Sequence, residues 1–136
     1  MPVQIGTRIA GPLTRLNCTS VASATNASVA AFGNEIAAWA EFLNTGAYPI
    51  VVVVGPTATG LPAPTVPASL ASATQGANDR SVSEFILPAS MEAPITHAVP
   101  TGLVNSNKGF WFNGIAVGAT GTQSGDIWVT PVVAQS

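Results

Sequence analysis

Ile36-Ala-Ala-Trp-Ala-Glu-Phe-Leu43, Asn44-Thr-Gly-Ala-Tyr-Pro49 and Ile50-Val-Val-Val-Val-Gly55 follow one another in the first half of this 136-residue chain. The last of the three is all β-branched up to its glycine, and β-branched side chains are stiff in a helix but pack well on a pleated surface. It reads as a strand covered on both faces, as in a sandwich interior or beneath a neighbouring subunit. Asn44-Thr-Gly46 supplies residues that tolerate turn backbones, and Pro49 ends the turn. The first piece reads as the other strand of a β-hairpin. A competing reading has Asn34 capping a short helix through Ala37, Ala38, Trp39 and Ala40, since Ala and Glu favour helix locally. We take the strand.

Working outward, thirteen Gly and eleven Pro punctuate the whole chain and leave few windows for helices. On the N-terminal side, Val3 to Ile9 and Arg15 to Val21 read as strands. The small-residue stretch from Ala22 to Ala31 reads as a linker or an extended arm. On the C-terminal side, Pro56, Pro62, Pro64 and Pro67 forbid a central strand, so residues 56–80 read as a Pro/Ala/Thr-rich loop or an arm laid on a partner. Ser81 to Leu87 is expected to be a strand with Glu84 and Ile86 on one side and Phe85 and Leu87 on the other. A corner at Pro88 and a short strand from Ile95 to Val99 follow. Phe110-Trp-Phe-Asn-Gly-Ile-Ala-Val117 and Asp126-Ile-Trp-Val-Thr-Pro-Val-Val133, joined through Gly118 to Gly125, read as a second hairpin. The expected fold is all-β: one domain over 1–136, an antiparallel β-sandwich or jelly-roll-like barrel, with residues 1–31 as an N-terminal arm or extra strands.

Composition narrows function mainly by exclusion. Six acidic and four basic residues make 7% charged, against roughly 25% in an ordinary soluble domain. Arg8, Arg15, Arg80 and Lys108 lie far apart in sequence, so no basic patch is expected and nucleic acid is a poor partner. The apolar run Ile50–Val54 is far shorter than the ~20 residues of a spanning helix, so no membrane role is expected. The start lacks the basic and apolar blocks of a secretory signal, and the mature chain is expected to begin at or beside Met1. The sequons at Asn17 and Asn26 are accordingly read as incidental, and the single Cys18 has no internal disulfide partner.

No reaction is legible, and the chain is expected not to be an enzyme. His97 shares a strand face with Ile95 and Val99, with no second His or Cys at ligand spacing, so it reads as a hydrogen-bonded structural histidine; no metal or cofactor is expected. A triad would have to join Cys18 or a serine to His97 and one of Asp79, Glu84, Glu92 or Asp126, and no local motif ties them. Carboxylate pairs for sugar hydrolysis drawn from Glu35, Glu41, Glu84 and Glu92 read as solvated surface groups. Asp79-Arg80 reads as an exposed pair, and the glycines from Gly118 to Gly125 as turn residues. Trp39, Trp111 and Trp128, with Phe110 and Phe112, are expected to supply the core. In Phe110-Trp111-Phe112, alternation must turn either one ring or two outward, and an outward Trp111 would be an interface anchor. The candidate interface residues are Trp111, Tyr48, Pro62, Pro64, Val66, Val3 and Ile5.

The order of strand, Asn-Thr-Gly turn, valine-rich strand ending at Gly55, Pro/Thr/Ala loop, Phe85-Ile-Leu-Pro-Ala89 and a final Gly-Thr turn leading to Ile127-Trp-Val-Thr130 resembles small tailed-bacteriophage virion proteins. These include capsid decoration or cement proteins and related head and tail accessory proteins. The resemblance covers about Ile36 to Val133; Val3 to Ala31 has no counterpart in it. It implies a β-sandwich without catalysis, made in the host cytoplasm and bound to the capsid surface. The implied partners are the major capsid protein or other virion proteins, and copies of the chain itself in a homo-oligomer, a trimer being favoured. A receptor- or carbohydrate-binding sandwich of a fibre or cell surface is the alternative, and a major shell or tail-tube subunit a third.

Overall fold

Side chains alternate inward and outward along the strands of this chain, and the alternation sorts them into two sheets. The computed structural model describes residues 7–20, 27–29, 39–56, 61, 84–98 and 109–134. Within them lie nine strands: β1 (Thr7–Ile9), β2 (Thr14–Cys18), β3 (Ala27–Val29), β4 (Trp39–Asn44), β5 (Ile50–Gly55), β6 (Glu84–Leu87), β7 (Ile95–Ala98), β8 (Phe110–Ala116) and β9 (Gly125–Ala134). Sheet A runs β1-β9-β4-β7, with β2 also on β9; sheet B runs β3-β8-β5-β6. Every pairing is antiparallel. The two sheets form an all-β sandwich.

The pairings nest. β5 pairs with β6, β4 with β7, β3 with β8 and β2 with β9, so the chain is one long antiparallel ribbon folded back between β5 and β6. Rolling that ribbon brings β4 against β9 and β5 against β8. This winding is the jelly roll. β1 and β2 share one edge of β9, at Val132 to Ala134 and at Gly125 to Val129 respectively. The interval between them falls opposite Pro131, whose carbonyl accepts from Ala10 N–H at 2.8 Å. A strand residue's N–H and C=O point to the same side, so the donor that proline lacks faces this break in the edge; a central strand tolerates Pro131 for that reason.

The two expected hairpins are not hairpins. β4 and β5 lie in different sheets, as do β8 and β9, and each connection is an arch that carries the chain across the sandwich. Hairpin partners share the faces of one sheet, and these pairs have incompatible faces. β5 is buried on both sides, as its apolar run implies, whereas β4 turns Trp39, Glu41 and Leu43 to a half-open side. Asn44 builds the first arch. It is fully buried, its Nδ2 donates to the carbonyls of Tyr48 (2.8 Å) and Pro88 (3.0 Å), and its Oδ1 accepts from Gly46 N–H (3.0 Å). In the second arch, Gly118 and Gly121 adopt φ of 88° and 59°, a region that favours glycine. The arches meet where a Cβ on Gly46 would stand 2.7 Å from the Gly125 Cα.

The core between the sheets is phenylalanine, not tryptophan. Phe42, Phe85, Phe110 and Phe112 are all but inaccessible and pack with Ile50, Val52, Leu87, Ile127 and Val129. Phe42 meets Phe85 edge-on at 5.0 Å. The expectation that the three tryptophans supply the core is overturned: Trp39 is 39% exposed, and Trp111 and Trp128 are half-buried on the outer sides of their sheets. Residues 27–29 are an integral strand of sheet B, so this part of the stretch from Ala22 to Ala31 is neither linker nor free arm. Residues 34–38 lie outside the described residues, but from Trp39 on the strand prevails over the helix.

Candidate functional site

The outer sides of the two sheets differ. On sheet B, Val53 is flanked by Glu84 and Asn113 and Val51 by Ile86 and Ile115, and all but Ile115 are buried. On sheet A the outer side carries every large apolar side chain that is exposed among the described residues: Trp39 at 39% and Ile9 at 63% on the sheet itself, and Leu13 at 57% where the chain enters β2.

Register arranges this side in rows. Arg15, Trp128 and Leu43 form one row across β2, β9 and β4; Thr130, Glu41 and Thr96 form the next across β9, β4 and β7; Ile9, Val132 and Trp39 form the third across β1, β9 and β4. The first two rows floor a groove of about 360 Å³ lined by Leu13, Glu41, Leu43, Thr45, Pro94, Trp128 and Thr130. Among the described residues its lining is mainly apolar, with one carboxylate in it.

One end of the groove is fixed by a polar network. Trp128 Nε1–H donates to Thr45 Oγ1 at 3.1 Å, which locks the indole as part of the floor. The Arg15 guanidinium stands 5.8 Å from the centre of that ring and its Nε is 3.1 Å from Asp126 Oδ2. Asn17 Nδ2 donates to Asp126 Oδ1 at 2.9 Å and to Ser124 Oγ at 3.1 Å. Partial burial works to raise the Asp126 carboxyl, but the bonds from Asn17 and Arg15 and the Arg15 charge outweigh it and hold it below its ordinary value. Glu41, by contrast, has no hydrogen-bond or ion-pair partner among the described residues.

Other chemical candidates are separated by the fold. Glu41 and Glu84 point from opposite sides of the sandwich, so these two carboxylates form no pair, and Glu92 is exposed in the β6–β7 connection. Cys18 and His97 sit on opposite edges of sheet A, three strand spacings or roughly 14 Å apart across it, and they are offset along the strands as well, Cys18 lying level with Gly125 of β9 and His97 with Pro131. Burial, helped by the Asp126 charge, pushes the Cys18 thiol up to about 12. His97 faces inward, stacked on Phe85 with centroids 3.8 Å apart. Among the described residues no three His, Cys, Asp or Glu side chains gather into a metal-binding group.

Of the candidate interface residues, Trp111 is half-buried on the outer side of sheet B, opposite in direction to Phe110 and Phe112. Tyr48 is half-buried in the first arch against the core. Neither lies in the groove. Val3, Ile5, Pro62, Pro64 and Val66, together with Glu35 and the Asp79-Arg80 pair, lie outside the described residues. Sequence reasoning missed Ile9, Leu13, Trp39, Leu43 and Trp128 as a surface, because the roll gathers them from four separate segments. In comparisons with known proteins, no family model, curated protein or solved structure matches the chain.

Proposed function

We propose that this is a structural virion protein, a capsid decoration or cement protein that binds the outside of a phage head and stabilises it through subunit contacts. The observation that carries the reading is the outer side of sheet A, where Ile9, Leu13 and Trp39 stand exposed beside an apolar groove. Single apolar side chains on a surface need no explanation, but a contiguous group on one side of a sandwich marks an interaction site. Burying it supplies roughly 25 cal/mol per Å² of apolar surface. With ten charged residues in the chain, few ions need be desolvated in doing so. Repetition on a lattice adds avidity to contacts that are individually modest. Jelly-roll sandwiches occur in viral capsid and lectin domains, an analogy of fold that is compatible with the role without assigning it. In this reading the partner is the major capsid protein or another virion protein, the protein is a homo-oligomer, and no catalysis occurs.

The test is a heat challenge of DNA-filled heads with and without the protein. Retention of DNA to higher temperature in its presence supports the reading; identical release curves overturn it.

One observation favours a second reading, a receptor- or carbohydrate-binding module: Trp128 lies in an open groove beside Glu41, Thr45 and Thr130, a ring with hydroxyl and carboxylate groups around it. Glycan-array binding lost in Trp128→Ala and kept in Trp111→Ala, on the other sheet, would select it.

A further inference from the structure

The groove has a chemistry more specific than apolarity. Its floor is Leu43 and Trp128, its walls are Leu13 and Pro94, and its one formal charge among the described residues is the Glu41 carboxylate. Arg15, the nearby cation, is already engaged by Asp126 at the far side of the indole. The charge the groove leaves unanswered is therefore negative. Along β9 the three outer rows, at Trp128, Thr130 and Val132, are two residues apart, which is roughly 6.8 Å. The same distance separates side chains i and i+2 of any extended segment.

Resting on the docking reading above, we propose that this side of sheet A binds an extended segment of a partner protein with the pattern apolar-x-basic-x-apolar. The first apolar side chain enters the groove on Leu43 and Trp128. The Lys or Arg two residues on lies over Thr130 with its cation at Glu41. The second apolar side chain covers the exposed Ile9 and Trp39, which flank the buried Val132 in the third row. At about 360 Å³ the groove is at the low end of the roughly 300–1,000 Å³ of ligand pockets, room for a few side chains rather than a folded element.

The test uses the full chain and three acetylated, amidated peptides, Leu-Thr-Arg-Thr-Leu, Leu-Thr-Glu-Thr-Leu and Ala-Thr-Arg-Thr-Ala, titrated in two-dimensional NMR. The Arg peptide is expected to shift the amides of residues 41–45 and 128–132 and to bind about tenfold more tightly than the Glu peptide, a preference that Glu41→Lys reverses. The Ala peptide is expected to bind more weakly than either. Absence of shifts on this side, or binding indifferent to the charge swap, overturns the proposal. So does a concentration-dependent dimer abolished by Leu43→Asp, which would assign the side to a second copy of the chain. Failure of the charge swap while the protein still protects heads sinks the peptide pattern alone; loss of head protection sinks the docking reading itself.

Discussion

The Asn44 side-chain amide donates to the Pro88 carbonyl at 3.0 Å, tying the arch between β4 and β5 to the end of β6 in the opposite sheet. The same nitrogen reaches Tyr48 and the same side chain's oxygen holds Gly46, so one buried residue fixes where the chain changes sheets. Asn44→Ala would leave two carbonyls and one N–H without that partner. We expect a loss of about 3 kcal/mol, or roughly 10 °C in Tm, by calorimetry. Asn44→Asp is expected to do no better, since a carboxylate cannot donate to either carbonyl.

Gly46→Ala tests the meeting of the two arches. The added Cβ would face backbone at 2.7 Å, not the yielding end of a side chain. Destabilisation of about 2 kcal/mol is expected in urea unfolding. Gly121→Ala has open space around the new Cβ but keeps a φ of 59°, so its cost should be about 1 kcal/mol, from backbone strain alone.

Cys18 is inaccessible between the sheets, and its thiol is pushed up to about 12 from 9.0. The native protein should resist iodoacetamide at pH 8 and react only when unfolded, as mass spectrometry would register. Above pH 9 the unfolded chain releases this proton while the folded chain keeps it, so the unfolded state binds fewer protons and stability falls as pH rises. Cys18→Ala should remove that alkaline slope at the cost of a small cavity.

Asp126 gives the opposite slope at the acid end. Its carboxyl is held below 3.8 in the folded protein, so on acidification the unfolded chain takes up the proton first and the stabilisation, present above 3.8, is lost as pH falls through the folded value. The group is part-exposed and salt screens it, so the effect is small. Urea midpoints measured from pH 6 to pH 2 should fall less steeply in Asp126→Asn than in the wild type.

Strand identity was legible in this chain and strand partnership was not. Val51–Val54 and the alternation Phe85, Leu87 against Glu84, Ile86 fixed elements from local side-chain chemistry. A hairpin and an arch, however, differ only in whether the chain turns within a sheet or across to the other, and here the difference lies in the bonds of Asn44 and in what covers β5. The aromatic triplet shows the same limit. Alternation required that Trp111 oppose Phe110 and Phe112, but which side faced the core depended on β5 beside it. The groove was illegible because Leu13, Glu41, Pro94 and Trp128 become neighbours only when the ribbon is rolled.

The most direct test of the central claim is co-sedimentation with phage heads of the wild type and of Leu13→Asp/Trp39→Asp, whose changed side chains are exposed and should leave the circular dichroism spectrum intact. The wild type is expected to pellet with the heads and the folded double variant to bind at least about tenfold more weakly, as loss of a central apolar anchor costs. Equal binding by the two proteins, or a wild type that stays in the supernatant, would contradict a docking role for the outer side of sheet A.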